Sequence, residues 1–204
     1  KKTICNYFWE DGTAFSASAD MDTFVKEASQ FFDESERSIR NYLNRSKRKY
    51  ELTSPVFLEK SLHKGKSFFN LDTLKALSSA HKLDLNQSLD QVNHKSFSNK
   101  KLIQFFNRFA TYNGSSPFKT PGIMSMIPHL EMQLGTYLPK KGMHDISQSL
   151  TKLAKEVGIN FHLNSPVEEL IIRNKKVSAI KVNGKTFNSD IVVCNMDVYS
   201  AYNT

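Results

Sequence analysis

Hydrophobic spacing divides this chain into a long helical part and a shorter part with the alternation of strands. Apolar residues recur every three or four positions through most of residues 20–157, as in amphipathic helices. After Gly158 they alternate or form short runs. Residues 3–19 are an exception, because Asp11-Gly12 between apolar runs predicts a hairpin with a two-residue turn. The pattern predicts an α+β chain: a mostly helical block with one hairpin, then a β-rich tail.

Capping residues predict where the first two helices begin. Asp20 lies at the start of a helix with a phenylalanine-rich face. Asp33, with Glu36 three residues later, resembles a capping box that would open the second helix. Pro55 disfavours helical backbone at the residue before it, so we expect this helix to weaken near Leu52.

Three further helices are predicted between residues 71 and 114, whereas residues 55–70 give no readable pattern. Leucines at residues 71, 74 and 77 have helical spacing. Asp84 with Gln87 would cap a short helix, and Ser98 would cap a stronger one that Gly114 ends. The stronger helix is expected to bury one face, formed by Leu102, Phe105, Phe106 and Phe109.

The next helical pattern contains a proline. Ile123, Ile127, Leu130 and Leu134 share one helical face, and Pro128 should kink it. Gly135 would end this helix. Gly142 precedes another helix, whose apolar side is Ile146, Leu150, Leu153 and Val157.

The β-rich tail contains two strong turn signals. Residues 167–172 and 177–182 read as strands joined by a polar turn, and Asn183-Gly184 marks a second hairpin. Residues 159–163 alternate as a strand. Residues 190–194 form a short apolar run, which suits a strand buried on both faces of a parallel sheet.

Composition and missing motifs exclude several classes of protein. Net charge is +8, but a nucleic-acid site would show interleaved aromatics or a known module, and neither occurs. The densest basic run, residues 45–49, reads as a solvated helix face. Two distant cysteines and six histidines without ligand spacing give no metal site. The sequence contains no run of eighteen apolar residues, which is about the length needed to span a membrane as a helix.

Three features have both a chemical and a structural interpretation. Asp72 lies among apolar residues, where a carboxylate can act as an acid, but it could equally cap a helix. His129 and Glu131 could form an acid/base pair, or they could be polar positions on a half-buried kinked helix. Residues 113–117 could bind an anion through backbone N–H groups, or they could be only a turn.

Three motifs in order carry a family resemblance: A-T-Y-N-G-S-S-P-F at residues 110–118, M-I-P-H-L-E at 126–131 and Y-L-P-K-K-G-M at 137–143. Together they resemble the phytoene desaturase family of flavin-dependent carotenoid enzymes, within the amine oxidase superfamily. Supporting motifs are E-D-G-T at 10–13, N-S-P-V-E-E-L at 164–170 and S-D-I-V-V-C-N-M-D at 189–197.

The resemblance implies a Rossmann-type FAD domain with an inserted substrate domain. Residues 1–140 would be the helical substrate-binding domain with its hairpin, and residues 141–204 a β-rich portion of the FAD domain. By similarity, Val167 would contact the flavin adenine through its backbone. Gly142 and Met143 would begin a helix whose N-terminus approaches FAD, and Asn195 would lie in a loop on the cofactor side.

The resemblance also implies a reaction and a substrate. The parent would be an FAD-dependent oxidoreductase that desaturates (or isomerises) a carotenoid such as phytoene. Hydride would leave the polyene for flavin N5, and loss of a second hydrogen would make the double bond. Asp72 resembles a carboxylate proposed to assist this chemistry. The substrate would be a long apolar polyene. The parent protein is therefore expected to be cytoplasmic and to associate peripherally with a membrane surface. Two alternatives are another flavin enzyme of the superfamily, such as an amine oxidase, and a non-enzymatic lipid- or membrane-binding domain.

The chain departs from the family pattern in two ways. Lys141 replaces the first glycine of G-G-M, where its side chain would either crowd the cofactor or face solvent. The dinucleotide fingerprint G-x-G-x-x-G and the family's C-terminal flavin motif are both absent. The chain does not begin with Met. We therefore expect an internal fragment that, in isolation, binds FAD poorly and is inactive.

Overall fold

The structure, a computed structural model, describes residues 2–59, 64–65 and 71–203. Its contacts divide the chain into two compact units, Lys1–Pro139 and Lys140–Thr204. The predicted α+β class is confirmed, with one small antiparallel sheet in each unit. The Rossmann-type arrangement and the assignment of substrate and FAD domains stay predictions.

The first unit contains one hairpin and five α-helices within the described residues, joined and followed by shorter helical turns. Its strands and α-helices are β1 Thr3–Phe8, β2 Ala14–Ser18, α1 Met21–Phe32, α2 Glu36–Phe57, α3 Leu71–Ser78, α4 Leu89–Ser96 and α5 Lys100–Asn107. Its 3-10 helices are Ala80–Lys82, Arg108–Asn113 and Gly122–Met126, and a π-helix covers His129–Gln133.

The loop of the first hairpin has three residues and not the predicted two. Phe8 pairs with Ala14, and Trp9 N–H donates to Thr13 O at 3.0 Å. Gly12 takes the left-handed φ of 80° that closes this turn. Asp11 accepts hydrogen bonds from the backbone and hydroxyl of Thr13. The Asp-Gly signal located the turn correctly. The loop is one residue longer than predicted, and within it the Asp11 side chain bonds to Thr13.

The predicted boundaries of α2 are wrong at both ends. Asp20 does cap α1, accepting from Thr23 N at 2.8 Å. Asp33, however, ends α1 in the left-handed conformation, and Ser35 caps α2. Helix α2 then continues through Pro55 to Phe57. A proline removes one N–H donor, and burial of neighbouring side chains in α2 offsets that loss.

The predicted caps of α4 and α5 are also displaced. Ser88 and Gln91 form a reciprocal capping box at α4, so Asp84 is not the cap. Asn99, one residue after the predicted Ser98, caps α5 and accepts from two backbone N–H groups. The predicted buried face of α5 is confirmed, as is Gly114 as the left-handed residue that ends the following 3-10 helix.

Phenylalanine rings form the centre of the first unit. They come from β2, α1, α5 and the 3-10 helix after it, and each is buried: Phe15, Phe24, Phe32, Phe105, Phe106 and Phe109. Most neighbouring rings meet at tilted or edge-to-face angles with centroids 5–6.5 Å apart, the arrangement that aromatic quadrupoles favour, whereas the Phe106 and Phe109 rings are stacked at 26°. The hairpin therefore closes onto α1 and α5 through aromatic contacts.

Pro128, where a kink was predicted, lies between two types of helix. The 3-10 helix Gly122–Met126 precedes it and the π-helix His129–Gln133 follows it, and Gly135 beyond the π-helix has a left-handed φ of 98°. The π-turn rotates the face that follows, so Leu134 is half exposed while Met132 is buried. The single apolar face predicted through Leu134 is therefore wrong beyond Ile127.

The second unit contains a helix, a three-stranded meander and a short final helix. These are α6 His144–Glu156, β3 Val167–Arg173, β4 Lys176–Val182, β5 Lys185–Asn188 and α7 Val198–Asn203, with strand order β3-β4-β5. Both predicted turns are confirmed, and the residue pairs 174–175 and 183–184 have the positive φ angles of type I′ turns.

Two predicted strands are not formed in the second unit. Residues 159–163 and 190–194 have no strand structure. A strand needs a hydrogen-bonded neighbour, and none of the described residues pairs with either segment. Ile191 and Val193 are consequently exposed.

Candidate functional site

The start of α6, which is predicted to approach the cofactor, has empty space beside its backbone at Gly142. Gly142 has φ of 90°, and a Cβ placed there would meet no atom within 4 Å. Helix α6 begins directly after Met143, which supplies no side-chain cap. No side chain accepts from the first turn of α6, although Asp145 N–H and Ile146 N–H already donate to the backbone oxygens of Gly142 and Met143 at 3.1 and 3.2 Å. The positive end of the helix dipole still favours an anion such as a phosphate of FAD at this point. Lys141 is exposed, which agrees with the alternative in which its side chain faces solvent.

The other two predicted cofactor positions lie elsewhere in the second unit. Val167 is the first residue of β3, pairs with Val182 and is half exposed. Asn195 lies in the irregular segment between β5 and α7 and is exposed. The four cofactor positions thus belong to three different segments of one unit. Their roles stay predictions.

Asp72, the predicted catalytic carboxylate, belongs to the first unit. It is the second residue of α3, so the alternative in which it precedes and caps that helix is wrong. Its side chain lies outside the described part of the structure. The catalytic role of Asp72 stays a prediction.

A partly buried cluster of polar side chains was not found by sequence reasoning. Arg108 Nη2 donates to Glu131 Oε1 at 2.5 Å, and Arg108 Nε donates to the Tyr7 hydroxyl at 2.7 Å. Tyr112 donates to the other oxygen of Glu131. The arginine also lies 4.6 Å from the centre of the Phe109 ring. The cluster joins β1, the 3-10 helix after α5 and the π-helix.

Electrostatics fix the charge states in this cluster. Burial raises the pKa of Tyr7 far above its ordinary value, against the opposing effect of Arg108. Burial, followed by the hydrogen bond to Glu131, also raises the pKa of Tyr112. Both tyrosines are therefore neutral hydrogen-bonding groups at physiological pH, and the ion pair of the cluster is the one between Arg108 and Glu131.

His129 and Glu131 do not form the acid/base pair considered above. His129 is buried, and its Nδ1 lies 2.8 Å from Gln133 Oε1. Glu131 instead binds Arg108 and Tyr112. The structural interpretation of these two positions is the correct one, although both are more buried than a half-exposed helix face implies.

The segment at residues 113–117 folds as a turn. Gly114 N–H donates to Thr111 O at 3.0 Å, and Ser115 N–H donates to Ala110 O at 3.3 Å. These bonds use the backbone donors that an anion would need. The interpretation as a turn therefore fits the structure better than the interpretation as an anion loop.

The basic run in α2 is only partly a solvated face. Lys49 is 2% exposed, and its ammonium group contacts Asp84 and lies 2.5 Å from Ser125 Oγ. Arg45 reaches the same Asp84 at 3.2 Å. Burial lowers the pKa of Lys49, and the carboxylate opposes that shift. Helical spacing could have indicated that Arg45 and Lys49 share one carboxylate, because residues 45 and 49 lie one turn apart on one face of α2.

Two further properties of the described residues concern membranes and metals. Among these residues, no helix is both long enough and apolar enough to cross a bilayer. The same residues contain no group of three His, Cys, Asp or Glu side chains placed to hold a metal ion.

Comparison with known proteins places the chain in a family. Residues 1–203 match the flavin containing amine oxidoreductase family. The chain is 54% identical, over 99% of its length, to a 1-hydroxycarotenoid 3,4-desaturase from Flavobacterium sp. (strain P99-3), covering 41% of that protein. It is 30% identical, over 95% of its length, to a 4,4'-diapolycopene oxygenase from Methylomonas sp, covering 39% of it.

A third relative extends the same group. The chain is 34% identical, over 74% of its length, to a 4,4'-diapophytoene desaturase from Staphylococcus aureus (strain Newman), covering 30% of it. This chain belongs to the flavin-containing amine oxidoreductase family. Within it, the chain is similar to carotenoid desaturases, and it spans about two fifths of the length of the first two relatives.

Proposed function

We propose that the whole protein is an FAD-dependent desaturase of acyclic carotenoids, and that a 1-hydroxylated carotenoid is its substrate. The observation that carries this proposal is the 54% identity to a 1-hydroxycarotenoid 3,4-desaturase across 99% of the chain. The 34% identity to a 4,4'-diapophytoene desaturase supports the same reaction class.

In this proposal the two units have different roles. Residues 1–140 form part of the substrate-binding domain, and residues 141–204 form part of the FAD-binding domain. The uncapped start of α6 after Gly142 and Met143 holds a phosphate of FAD through backbone N–H groups. The backbone of Val167 contacts the adenine, and Asn195 lies beside the cofactor. When bound, FAD supplies the hydride acceptor.

The first unit supplies the protein groups around the polyene. Asp72 holds or moves a proton beside the reacting carbons. The Phe-rich interior and the cluster around Arg108 hold the helices of this unit in position relative to one another. Because the substrate is a long, mostly apolar polyene dissolved in a bilayer, the protein associates peripherally with the cytoplasmic face of a membrane. The exposed leucines of α3 and the net charge of +8 support that association.

The direct test is an assay of the purified full-length protein with FAD. A 1-hydroxylated acyclic carotenoid, its non-hydroxylated analogue and phytoene are each supplied in detergent, and products are separated chromatographically. The expected product has one more conjugated double bond and absorbs at longer wavelength. The hydroxylated substrate should react fastest. Oxidation of amines without any change in the carotenoids would overturn the proposal.

A second candidate function rests on the 30% identity to a 4,4'-diapolycopene oxygenase. The same assay separates the two, because an oxygenase adds oxygen to the carotenoid while a desaturase removes two hydrogens. Mass spectrometry of the product distinguishes these changes. The higher identity to the desaturase favours desaturation.

A further inference from the structure

A cavity with mostly basic walls lies in the first unit, whereas the positions discussed for FAD belong to the second unit. It has a volume of about 360 Å³ and lies between the middle of α2 and the 3-10 helix Ala80–Lys82. We call it the basic cavity; its charged or titratable lining residues are Arg45, Arg48, Lys49, His81, Lys82 and Asp84. Four Arg and Lys side chains thus share a cavity with one carboxylate.

The carboxylate neutralises only part of this charge. Asp84 pairs with Lys49 and with Arg45. Arg48 and Lys82 form no ion pair with any residue that the structure describes. The nearby acid Glu51 pairs with Lys47 instead. The basic cavity therefore keeps an excess of positive charge, which an anion would stabilise.

An apolar surface adjoins the basic cavity along the chain. Helix α3 has its small residues Thr73 and Ala76 buried, while three leucines face outwards. This leucine face consists of Leu71, Leu74 and Leu77, which are 83%, 64% and 68% exposed. Their i, i+3, i+6 spacing places them on one side of the helix. Phe57 and Leu58 at the end of α2 are also largely exposed.

The basic cavity and the leucine face are neighbours along the chain. The 3-10 helix Ala80–Lys82, which lines the cavity, follows the end of α3 at Ser78. A surface that combines cations with exposed leucines suits the boundary between lipid phosphates and acyl chains.

We infer that the basic cavity binds the phosphate of an anionic lipid headgroup while the leucine face enters the acyl boundary of the same membrane. The inference rests on the proposed function, because a membrane-dissolved polyene requires the protein to reach the bilayer. It adds a specific headgroup site to a general membrane contact. Arg48 and Lys82 supply the unpaired donors, and Lys49 and Arg45 complete the positive wall.

The side chains around the basic cavity favour a lipid over a nucleic acid as its ligand. Single-stranded nucleic acids need exposed aromatic rings for base stacking beside the basic groups. The side chains that adjoin the basic cavity along α3 are leucines. Tyr50, the aromatic residue beside the basic run, has its ring 5.1 Å from that of His129.

The test uses the full-length protein and vesicle co-sedimentation. Vesicles contain either phosphatidylcholine alone or phosphatidylcholine mixed with phosphatidylglycerol. The cavity variant is Arg48→Gln/Lys82→Gln, and its matched control is Arg37→Gln/Lys47→Gln, which removes two other cations of the first unit. Each cation near an anionic surface is worth about a fivefold change in partitioning. The cavity variant should therefore bind the anionic vesicles about 25-fold more weakly.

Three results are decisive. A larger loss for the cavity variant than for the control, together with lost binding in Leu74→Gln/Leu77→Gln, supports the inference. Equal losses in cavity variant and control overturn it, because the effect would then be net charge alone. If inorganic phosphate binds the protein and the cavity variant abolishes this without changing vesicle binding, the cavity takes free phosphate and the inference is wrong.

Activity in detergent separates this inference from the proposed function. The cavity variant should desaturate a detergent-dissolved carotenoid at the wild-type rate and react more slowly with vesicle-borne substrate. An inactive wild type that still binds anionic vesicles through the basic cavity would contradict the proposed function alone. Activity of the cavity variant equal to wild type on both substrate forms would contradict the headgroup site alone.

Discussion

Arg108 Nη2 lies 2.5 Å from Glu131 Oε1, and this pair joins the 3-10 helix after α5 to the π-helix beyond Pro128. The carboxylate is 8% exposed and the arginine side chain 27%. A partly buried pair of this kind is costly to break from one side, because the remaining charge stays desolvated.

We predict that Glu131→Gln destabilises the first unit by about 2 kcal/mol, since Arg108 loses its charged partner and keeps only neutral ones. Thermal unfolding of the full-length protein measures the change. Glu169→Gln is the matched control, because Glu169 pairs with Lys181 at 4.0 Å on an exposed surface. That control should lose less than about 1 kcal/mol. Equal losses would show that the Arg108 pair is no stronger than a surface pair.

A second prediction concerns the pH dependence caused by Lys49. Its folded-state pKa lies below the ordinary 10.5, so the unfolded chain binds the proton more tightly. The contribution of Lys49 to stability therefore rises with pH between its lowered pKa and 10.5. The difference in unfolding free energy between wild type and Lys49→Met should grow in favour of wild type as pH rises in this window. A constant difference would contradict the prediction.

Gly122 should tolerate no side chain. A Cβ there would lie 2.7 Å from Asp84 O and 2.7 Å from Val92 Cγ2, and the first of these is backbone. We expect Gly122→Ala to cost about 1–3 kcal/mol through overpacking. Gly65→Ala is the control, because a Cβ at Gly65 meets nothing within 4 Å. Denaturant midpoints of the two variants give the comparison, and similar midpoints would contradict it.

The proposed role of Gly142 in FAD binding has a control within the same helix. Gly142 and Gly158 flank α6, have φ of 90° and 87°, and have open space around the position of a Cβ. Alanine therefore introduces similar backbone strain at both sites. Gly142→Ala should weaken FAD binding by the full-length protein about tenfold, or ~1.4 kcal/mol, while Gly158→Ala should not. Equal FAD affinities, measured by flavin fluorescence, would remove Gly142 from the cofactor site.

The proposed role of Asp72 is tested by kinetics. Asp72→Asn should lower kcat at least ~100-fold with little change in folding, as expected for loss of a proton-transfer group. Asp22→Asn is matched in position, since both residues are the second of their helix. It should leave kcat unchanged. A kcat for Asp72→Asn within twofold of wild type would exclude the catalytic role.

Local signals that involve few residues were read correctly from the sequence. Asn183-Gly184 predicted its hairpin because only a few residue types accept two positive φ angles in succession. The buried face of α5 followed from helical spacing, since four large apolar residues on one side need a core. Both features depend on backbone preference and periodicity alone.

Helix boundaries and buried charges were predicted less well, because they depend on residues far apart in sequence. Asp84 looked like a cap, but it is a counterion for Lys49, which lies 35 residues earlier. Ser98 and Asn99 are adjacent candidate caps, and the backbone N–H groups of both donate to Glu34. Only the tertiary arrangement selects between such alternatives.

The sequence by itself determined the family, the α+β class, the positions of the hairpin turns and the buried face of α5, because motifs, turn chemistry and apolar spacing are local properties of the chain. Tertiary structure decided which charged residues are buried, which caps are used and which predicted strands form. A strand needs a hydrogen-bonded neighbour and a buried charge needs a counterion, and each partner is supplied by packing between distant segments.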